Sequence, residues 1–419
     1  MKKNISFLLF FCCINFLFLH AQTNRCGTAI LHKMRMETDP QYKAFYENIE
    51  QRMKEWQSQK AEQRTSAVTL TIPVVVHVVY NAAEENVSDA QIHSQIDVLT
   101  QDYSATNANI VNVPPAFQSV IGNANLSFCL ATLTPTGEYT TGIERRQTPV
   151  TDFGFDDPRL KFTSQGGLDS WDSQKYMNIW VCNMGTSILG YTEAPGSPPQ
   201  TDGLVITYKA FGTIGNLLPA YNKGRTTTHE AGHWLGLFHI WGDDGGTCTG
   251  SDYVNDTPNQ ASEDYGCPSY PKTDACSPNA PGIMFMNYMD YTNDACMNMF
   301  TQGQVAVMNN ILNTQRSTLF TSNGCLIPNT FKDFNAESFV ALYPNPAKDI
   351  IHLNMMLPSV SVVSVTAYDM VGRIISFTEI NKSGEQAIDL NTSSFSPGLY
   401  TLILNTDKGN IAKRCMIAK

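Results

Sequence analysis

Charge is scarce in this 419-residue chain, with 16% of residues charged, and positive charge is scarcer still: Lys plus Arg number 28 against 38 Asp plus Glu, a formal net charge of −10. A protein that neutralises phosphates normally carries a basic face, so the balance argues against nucleic acid as a partner. Basic residues do gather between Lys43 and Arg64, but acidic ones interleave with them. No repeat array or low-complexity tract is present, which excludes solenoids and linker-like chains. Beyond the first twenty residues no apolar run approaches the ~20 needed to span a bilayer, so no transmembrane segment is expected in the mature form. Disorder is not in short supply of contrary evidence either: apolar residues make up 42% of the chain, enough for two or three packed domains.

The single long apolar run, Ile5 to Leu19, follows Met1-Lys2-Lys3 and precedes the small residue Ala21. That is the order of a secretory signal peptide, and residues 1–21 are expected to leave, taking Cys12 and Cys13 with them. Nine of the 11 cysteines then remain, an odd number where export favours disulfides. At least one thiol must do something else.

From Asp39 to Arg64 the sequence is polar and helix-prone, with Tyr42, Tyr46, Ile49, Met53 and Trp56 on one face, and it reads as a helical leader. At Val68 the character changes, since Val68 to Tyr80 is β-branched and nearly continuous, as in a strand buried on both faces. Ser88-Asp-Ala-Gln91 forms a capping-box signal ahead of Ile92, Ile96, Leu99 and Tyr103 at helical spacing. Strands recur at Leu126 to Ala131, Tyr176 to Cys182 and Gly203 to Tyr208, which predicts a mixed α+β sheet domain. After Cys325 a loop leads to short alternating strands around Ile350 to Met355, Val362 to Tyr368, Ile374 to Glu379 and Leu399 to Asn405, with turns at Val371-Gly-Arg373 and Pro397-Gly398. This pattern suits a small β-sandwich.

The chemistry concentrates in Thr226 to His239, TTTHEAGHWLGLFH. His229 and His233 are four apart, so on a helix both imidazoles leave the same face and can share one metal. Glu230 beside them can accept a proton from water at that metal. His239 could not join them on a straight helix, for it would lie ~15 Å along the axis from His229. The helix must therefore end between them, and Gly236 can take the left-handed conformation that turns the chain back. Three histidines with an open fourth position describe a catalytic zinc site, because structural sites are closed by four protein ligands. Five fixed residues at this spacing arise by chance in a chain of this length on the order of one time in ten thousand.

This string resembles the extended zinc motif of the metzincin metallopeptidases. Asn287-Tyr-Met-Asp-Tyr291 is similar to their Met-turn, which implies Met289 beneath the zinc and Tyr291 near it as a donor to the oxyanion. The spacing of Cys248, Cys267, Cys276 and Cys296, with the leader tetrapeptide Arg25-Cys-Gly-Thr28, resembles the pappalysin family, ulilysin-like bacterial members in particular. The resemblance covers roughly Thr65 to Cys325. It implies a metzincin-like zincin domain with a twisted mixed sheet and an active-site helix, and the disulfides Cys248–Cys276 and Cys267–Cys296. Independently, Gly242 to Asn287 is rich in Gly, Pro, Asp and Asn and needs such staples. Cys129 and Cys182 lie in apolar strand contexts, as free thiols or as a pair; Cys325 and Cys415 remain unassigned.

The donors of Asp252-Tyr-Val-Asn-Asp256-Thr257 suit an Asx-type turn or calcium, and the resemblance points to calcium held by Asp252, the Val254 carbonyl and Thr257. Asp294, past the Met-turn, is expected either as a surface carboxylate or in the pocket for the residue after the scissile bond, pairing there with Lys or Arg. A cut before Arg or Lys also fits removal of the leader between Gln63 and Arg64. Leu189-Gly-Tyr-Thr192 is expected as the cleft's upper rim, pairing with extended substrate. Cys26 is read as a cysteine switch whose thiolate fills the fourth zinc position, with a disulfide to Cys325 or Cys415 as the alternative.

Leu342-Tyr-Pro-Asn-Pro346, Tyr368-Asp-Met-Val-Gly-Arg373, Gly398-Leu-Tyr400 and a last strand from Ile411 resemble the C-terminal sorting domain of the type IX secretion system of Gram-negative bacteria. The organisation expected is a signal peptide (1–21), a pro-segment (22–64), a catalytic domain (65–325), a linker (326–338) and a β-sandwich sorting domain (339–419). The expected function is a zinc endopeptidase made as a latent zymogen, acting on proteins and peptides, and passing through the periplasm to the medium or cell surface. The competing class is a non-catalytic surface adhesin with a vestigial zinc site.

Overall fold

Leu70–Tyr80 is buried on both faces over most of its length, and a strand of that kind has to sit inside a sheet. The computed structural model describes residues 24–58, 69–138, 140–185, 188–325, 340–370, 373–406 and 409–419. The signal-like segment 1–21, the expected cut at Gln63–Arg64, the linker 326–338 and the Val371-Gly372 pair lie outside the described residues, as does the side chain of Trp56. The chain divides into two units, one formed by residues up to Ala131 with Gly142–Cys325, the other by Thr132–Thr141 with the residues after Cys325. No helix among the described residues is long and apolar enough to cross a membrane.

The first unit contains, in chain order, β1 (Asn24–Cys26), α1 (Thr28–Thr38), α2 (Pro40–Ser58), β2 (Leu70–Tyr80), α3 (Asp89–Tyr103), α4 (Pro115–Gln118), β3 (Leu126–Leu130), β4 (Ile143–Gln147), β5 (Met177–Cys182), β6 (Ile188–Thr192), β7 (Leu204–Thr207), α5 (Arg225–Trp234) and α6 (Gln302–Thr314). The sheet order is β1-β6-β7-β5-β2-β3, and β4 also pairs with β2. All pairings are parallel except β6 with β7, so the sheet is mixed. Alternation along β2 sends Ile72, Val74, Val76 and Val78 into a core shared with Ile92, Ile96 and Leu99 of α3 and Ala231 and Trp234 of α5. Val79 points the other way, among Leu31, Trp180, Cys182, Tyr191 and Val205.

Three local details differ from the sequence expectation. Only half of the Ser88 capping box forms: Ser88 accepts the Gln91 N–H at 3.2 Å, while the Gln91 amide turns to the Phe211 carbonyl at 2.8 Å. The polar Ile143–Gln147 forms a strand that periodicity does not announce, because the second half of β2 offers it a ladder from Val76↔Ile143 to Tyr80↔Gln147. Helix α2 is more than a leader standing off the core, since Tyr42 and Tyr46 are buried against Ala194 and Ile49 and Met53 join the main core.

Three disulfides join Cys129 to Cys325, Cys248 to Cys276 and Cys267 to Cys296. Cys129 therefore does not pair with Cys182, and Cys325 is not available to Cys26; Cys26, Cys182 and Cys415 are free and buried.

The second unit is a small β-sandwich of antiparallel strands β8 (Val340–Tyr343), β9 (Ile350–Tyr368), β10 (Ile374–Asn391), β11 (Gly398–Thr406) and β12 (Gly409–Ile417). The two strands expected around Ile350 to Met355 and Val362 to Tyr368 run on as one, and β10 continues past Glu379 alongside it. The β9–β10 register shifts between Glu379/Lys382 and Ser383/Gly384, in the stretch that contains Pro358, which has no N–H to donate. β8 pairs with the first part of β9 and β11 with the last part, so one long strand carries a different neighbour along each half. Ile351, Leu353, Val365, Ala367, Leu402 and Leu404 fill the space between.

Candidate active site

Every residue of α5 is buried, histidines and glutamate included. The helix stops in a Schellman turn: Gly236 N–H donates to the His233 carbonyl at 2.8 Å and Leu237 N–H to the Gly232 carbonyl at 3.0 Å. Gly236 has φ +86°, and a Cβ there would lie 2.5 Å from Ile311 Cγ1, so both conformation and space require glycine. The chain then doubles back and delivers His239 to the two helical histidines. The three Nε2 atoms lie 3.1–3.2 Å apart.

The opposite nitrogen of each ring fixes its tautomer. Nδ1 of His229 donates to the Tyr288 carbonyl at 2.7 Å, that of His233 to the Leu237 carbonyl at 2.8 Å, and that of His239 faces both Asp243 oxygens at 2.9 Å. With Nδ1 protonated, three Nε2 lone pairs converge on one point, which is favourable only around a cation. Vertices of a tetrahedron of radius 2.0–2.1 Å, the Zn–N distance, are roughly 3.3 Å apart, so the donor set fits zinc. Burial and the neighbouring rings hold His229 well below its ordinary pKa and His233 down to about 3, which keeps them neutral as ligands must be.

Cys26 completes the cluster, its sulfur and the three ring nitrogens all within 4.8 Å of one another. Burial first, then the Glu230 carboxylate, push this thiol well above its usual pKa. A cation held at the cluster would reverse that balance, because a coordinating thiol is deprotonated outright. Glu230 accepts the Thr28 hydroxyl at 2.8 Å, and burial raises its pKa to about 7 against the pull of the Thr28 and Cys26 hydrogen bonds. Met289 lies under the helix, where a Cβ on Gly232 would meet its sulfur at 2.6 Å. The Tyr291 hydroxyl donates to the Cys26 carbonyl at 3.2 Å.

The amino-terminal strand β1 runs along the sheet edge. β1 pairs with β6 in parallel, Cys26 opposite Gly190, and Thr192 N–H donates to the Thr28 hydroxyl at 3.0 Å. A Cβ on Gly27 would lie 2.5 Å from Cε2 of Phe155, so a larger residue there would have to displace that ring. Asp294 is not a surface carboxylate: it is fully buried, 2.7 Å from the equally buried Arg25 guanidinium, with the Lys223 and Arg225 amides on its other oxygen. Arg25 also donates to the Thr292 carbonyl and lies 5.1 Å over the Tyr221 ring. At a distance from the histidines, Thr257 donates to Asp252 at 2.7 Å and to the Val254 carbonyl at 3.2 Å.

Three contributors escaped the sequence reading. Asp243, four residues past His239, carried the signal of that spacing alone. Asp102 of α3 accepts from Arg225 at 2.6 Å, Thr228 at 2.7 Å and the Tyr288 hydroxyl at 2.9 Å, tying the start of α5 to the turn whose carbonyl orients His229. Thr28, known only as part of a tetrapeptide, reaches the glutamate.

These features define a zinc metalloendopeptidase. The family described as Pregnancy-associated plasma protein-A matches residues 164–313, and a Secretion system C-terminal sorting domain matches residues 341–418. An extracellular metalloprotease of Arthroderma benhamiae is 32% identical over 252 residues, covering 58% of this chain and 72% of its own. Among solved structures, mature mirolysin of Tannerella forsythia in complex with a cleaved peptide is 52% identical with a TM-score of 0.59, covering 60% of this chain and 96% of that one. A promirolysin mutant from the same organism is 46% identical with a TM-score of 0.65, covering 71% and 97%. The chain belongs to the pappalysin family of zinc metallopeptidases and carries a secretion-system sorting tail. It is a protein of the medium or the cell surface.

A carboxylate behind a metal-binding imidazole typically tunes affinity ten- to a hundredfold. Asp243→Asn is therefore expected to release zinc to a competing chelator at roughly ten- to a hundredfold lower chelator concentration; unchanged competition refutes this role.

Proposed function

We propose that the chain is a latent precursor whose leader, residues 22–64, plugs the peptidase of residues 65–325, and that 339–419 directs export through a type IX system by way of the periplasm of a Gram-negative bacterium. The observation that carries the reading is the fourfold cluster of Cys26 with His229, His233 and His239. Three features of the leader add support: it occupies the β6 edge, Thr28 engages Glu230, and Arg25 fills the site at Asp294. A vestigial site in an adhesin is disfavoured by the intact glutamate and by the three oriented rings.

His229, His233 and His239 would hold zinc through Nε2. When bound, zinc supplies Lewis acidity at one open coordination position, enough to bring the pKa of water there to ~7. Once the leader has gone, the freed Glu230 carboxylate takes the proton of the attacking water and passes it to the leaving amine. The Tyr291 hydroxyl, which now meets the Cys26 carbonyl, would donate to the oxyanion of the substrate carbonyl in its place. Strand β6 would pair with extended substrate. Glu230→Ala should keep zinc and lose roughly 10²–10⁴-fold in turnover. In that inactive precursor Cys26 should resist alkylation until a chelator is added; resistance until reduction instead would mean a disulfide and defeat the switch.

Asp294 is read as the pocket for the residue after the scissile bond, selecting Arg or Lys as it selects Arg25. A peptide library cut by the processed chain, with amino-terminal sequencing of that chain at Arg64, should show basic residues at the new amino termini. Apolar residues there would overturn the assignment.

Calcium is proposed at Asp252, the Val254 carbonyl and Thr257. Burial raises the Asp252 carboxyl to about 7, and Asp256 Oδ1 nearby is buried without a hydrogen bond. Added calcium should raise the thermal midpoint of the full chain but not of Asp252→Asn; equal midpoints in both would remove the site.

A further inference from the structure

Arg25 is not the leader's only arginine to end on acids of the peptidase unit. Arg35, in α1, reaches Asp156 Oδ1 at 3.1 Å and Glu193 Oε1 at 3.4 Å. Glu193 is almost fully buried and has a second cationic partner: the Lys161 ammonium lies 3.3 Å from the same Oε1, 2.7 Å from the Thr201 carbonyl, and over the rings of Trp180 and Tyr191. With Arg35 in place the four side chains carry two positive and two negative charges. Without the leader they carry one positive and two negative. Lys161 is buried and held by Glu193 and the Thr201 carbonyl, whereas Asp156 stays 23% exposed at the rim. The vacated position is thus open to solvent and short of one positive charge.

Its place along the cleft is set by the strand pairing. Cys26 lies opposite Gly190 in β6, and Glu193 follows three residues later, about 10 Å along a strand. Arg25 precedes Cys26 in the leader and Arg35 follows it, so the two acid sites flank the metal cluster on opposite sides.

We propose that Asp156 and Glu193 form a second specificity site, one that takes a cationic side chain of the substrate two to four residues upstream of the scissile bond. The assignment of the upstream side rests on reading Asp294 as the pocket for the residue after that bond. A guanidinium suits the pair because its planar fork can engage two carboxylates at once, as Arg35 does.

The test uses the full chain after it has processed itself with zinc, and a peptide library with Arg, Lys or Gln both after the bond and at each upstream position. Arg is expected to exceed Gln by about fivefold at one of the positions two to four residues upstream, less at high salt, as for a partly exposed ion pair. Asp156→Asn suits the local φ of +53° and should bring that ratio towards one, while the ranking after the bond stays as in the parent. A second arm needs no altered enzyme: a synthetic peptide of residues 24–38 should inhibit the processed chain about fivefold better than its Arg35→Gln counterpart. An upstream profile indifferent to charge, an Arg preference that survives Asp156→Asn, or equal inhibition by the two peptides overturns the proposal. A flat ranking after the bond, with an upstream preference that depends on Asp156, would defeat the Asp294 assignment and leave the second site standing.

Discussion

Everything at the centre of this molecule follows from one electrostatic demand: three buried imidazoles must bring their Nε2 atoms within 3.2 Å of each other. Left to themselves they would repel, so the surrounding chain is arranged to hold them there. The helix has to break after His233, which calls for Gly236. Each ring needs an acceptor behind it, which brings in the Met-turn carbonyl, the helix end and Asp243. Asp102 in turn locks the Met-turn to the start of the helix, so residues far apart in sequence share responsibility for one ring.

The leader meets the same demand from the other side. It brings a sulfur to the histidines, a hydroxyl to the glutamate and guanidinium groups to two acid sites, each chosen for the charge or donor that waits there. Its backbone contributes too, since β1 takes the hydrogen bonds of an edge strand that would otherwise stay open. This amino-terminal segment is therefore held by several kinds of contact at once. Tyr42, Tyr46, Ile49 and Met53 add an apolar seat well away from the metal.

The sequence disclosed the parts of this arrangement that depend on local spacing. The His229–His233 pair, the need to break the helix before His239 and the buried strand at Leu70–Tyr80 all follow from periodicity. Contacts between distant segments were harder to see. Nothing in the polar Ile143–Gln147 announces a strand, because its stability comes from the ladder β2 lends it. Asp102 looks like any helix carboxylate until Arg225, Thr228 and Tyr288 surround it, 123 to 186 residues away in sequence. The Cys129 partner was equally hidden, since apolar strand context favours Cys182 as much as any other thiol and the true bond spans 196 residues.

That last bond has a mechanical side. Cys325 is where the described part of the peptidase unit ends, and its sulfur is joined to β3, which lies against the central strand β2. Tension applied through the residues that follow is borne by a covalent link into the sheet, whereas without it the load would fall on the short turn at Ser317–Thr321 and then on α6, hydrogen bond by hydrogen bond. The unit cannot be peeled open from that end, and a break anywhere beyond Cys325 leaves it as tightly tied as before.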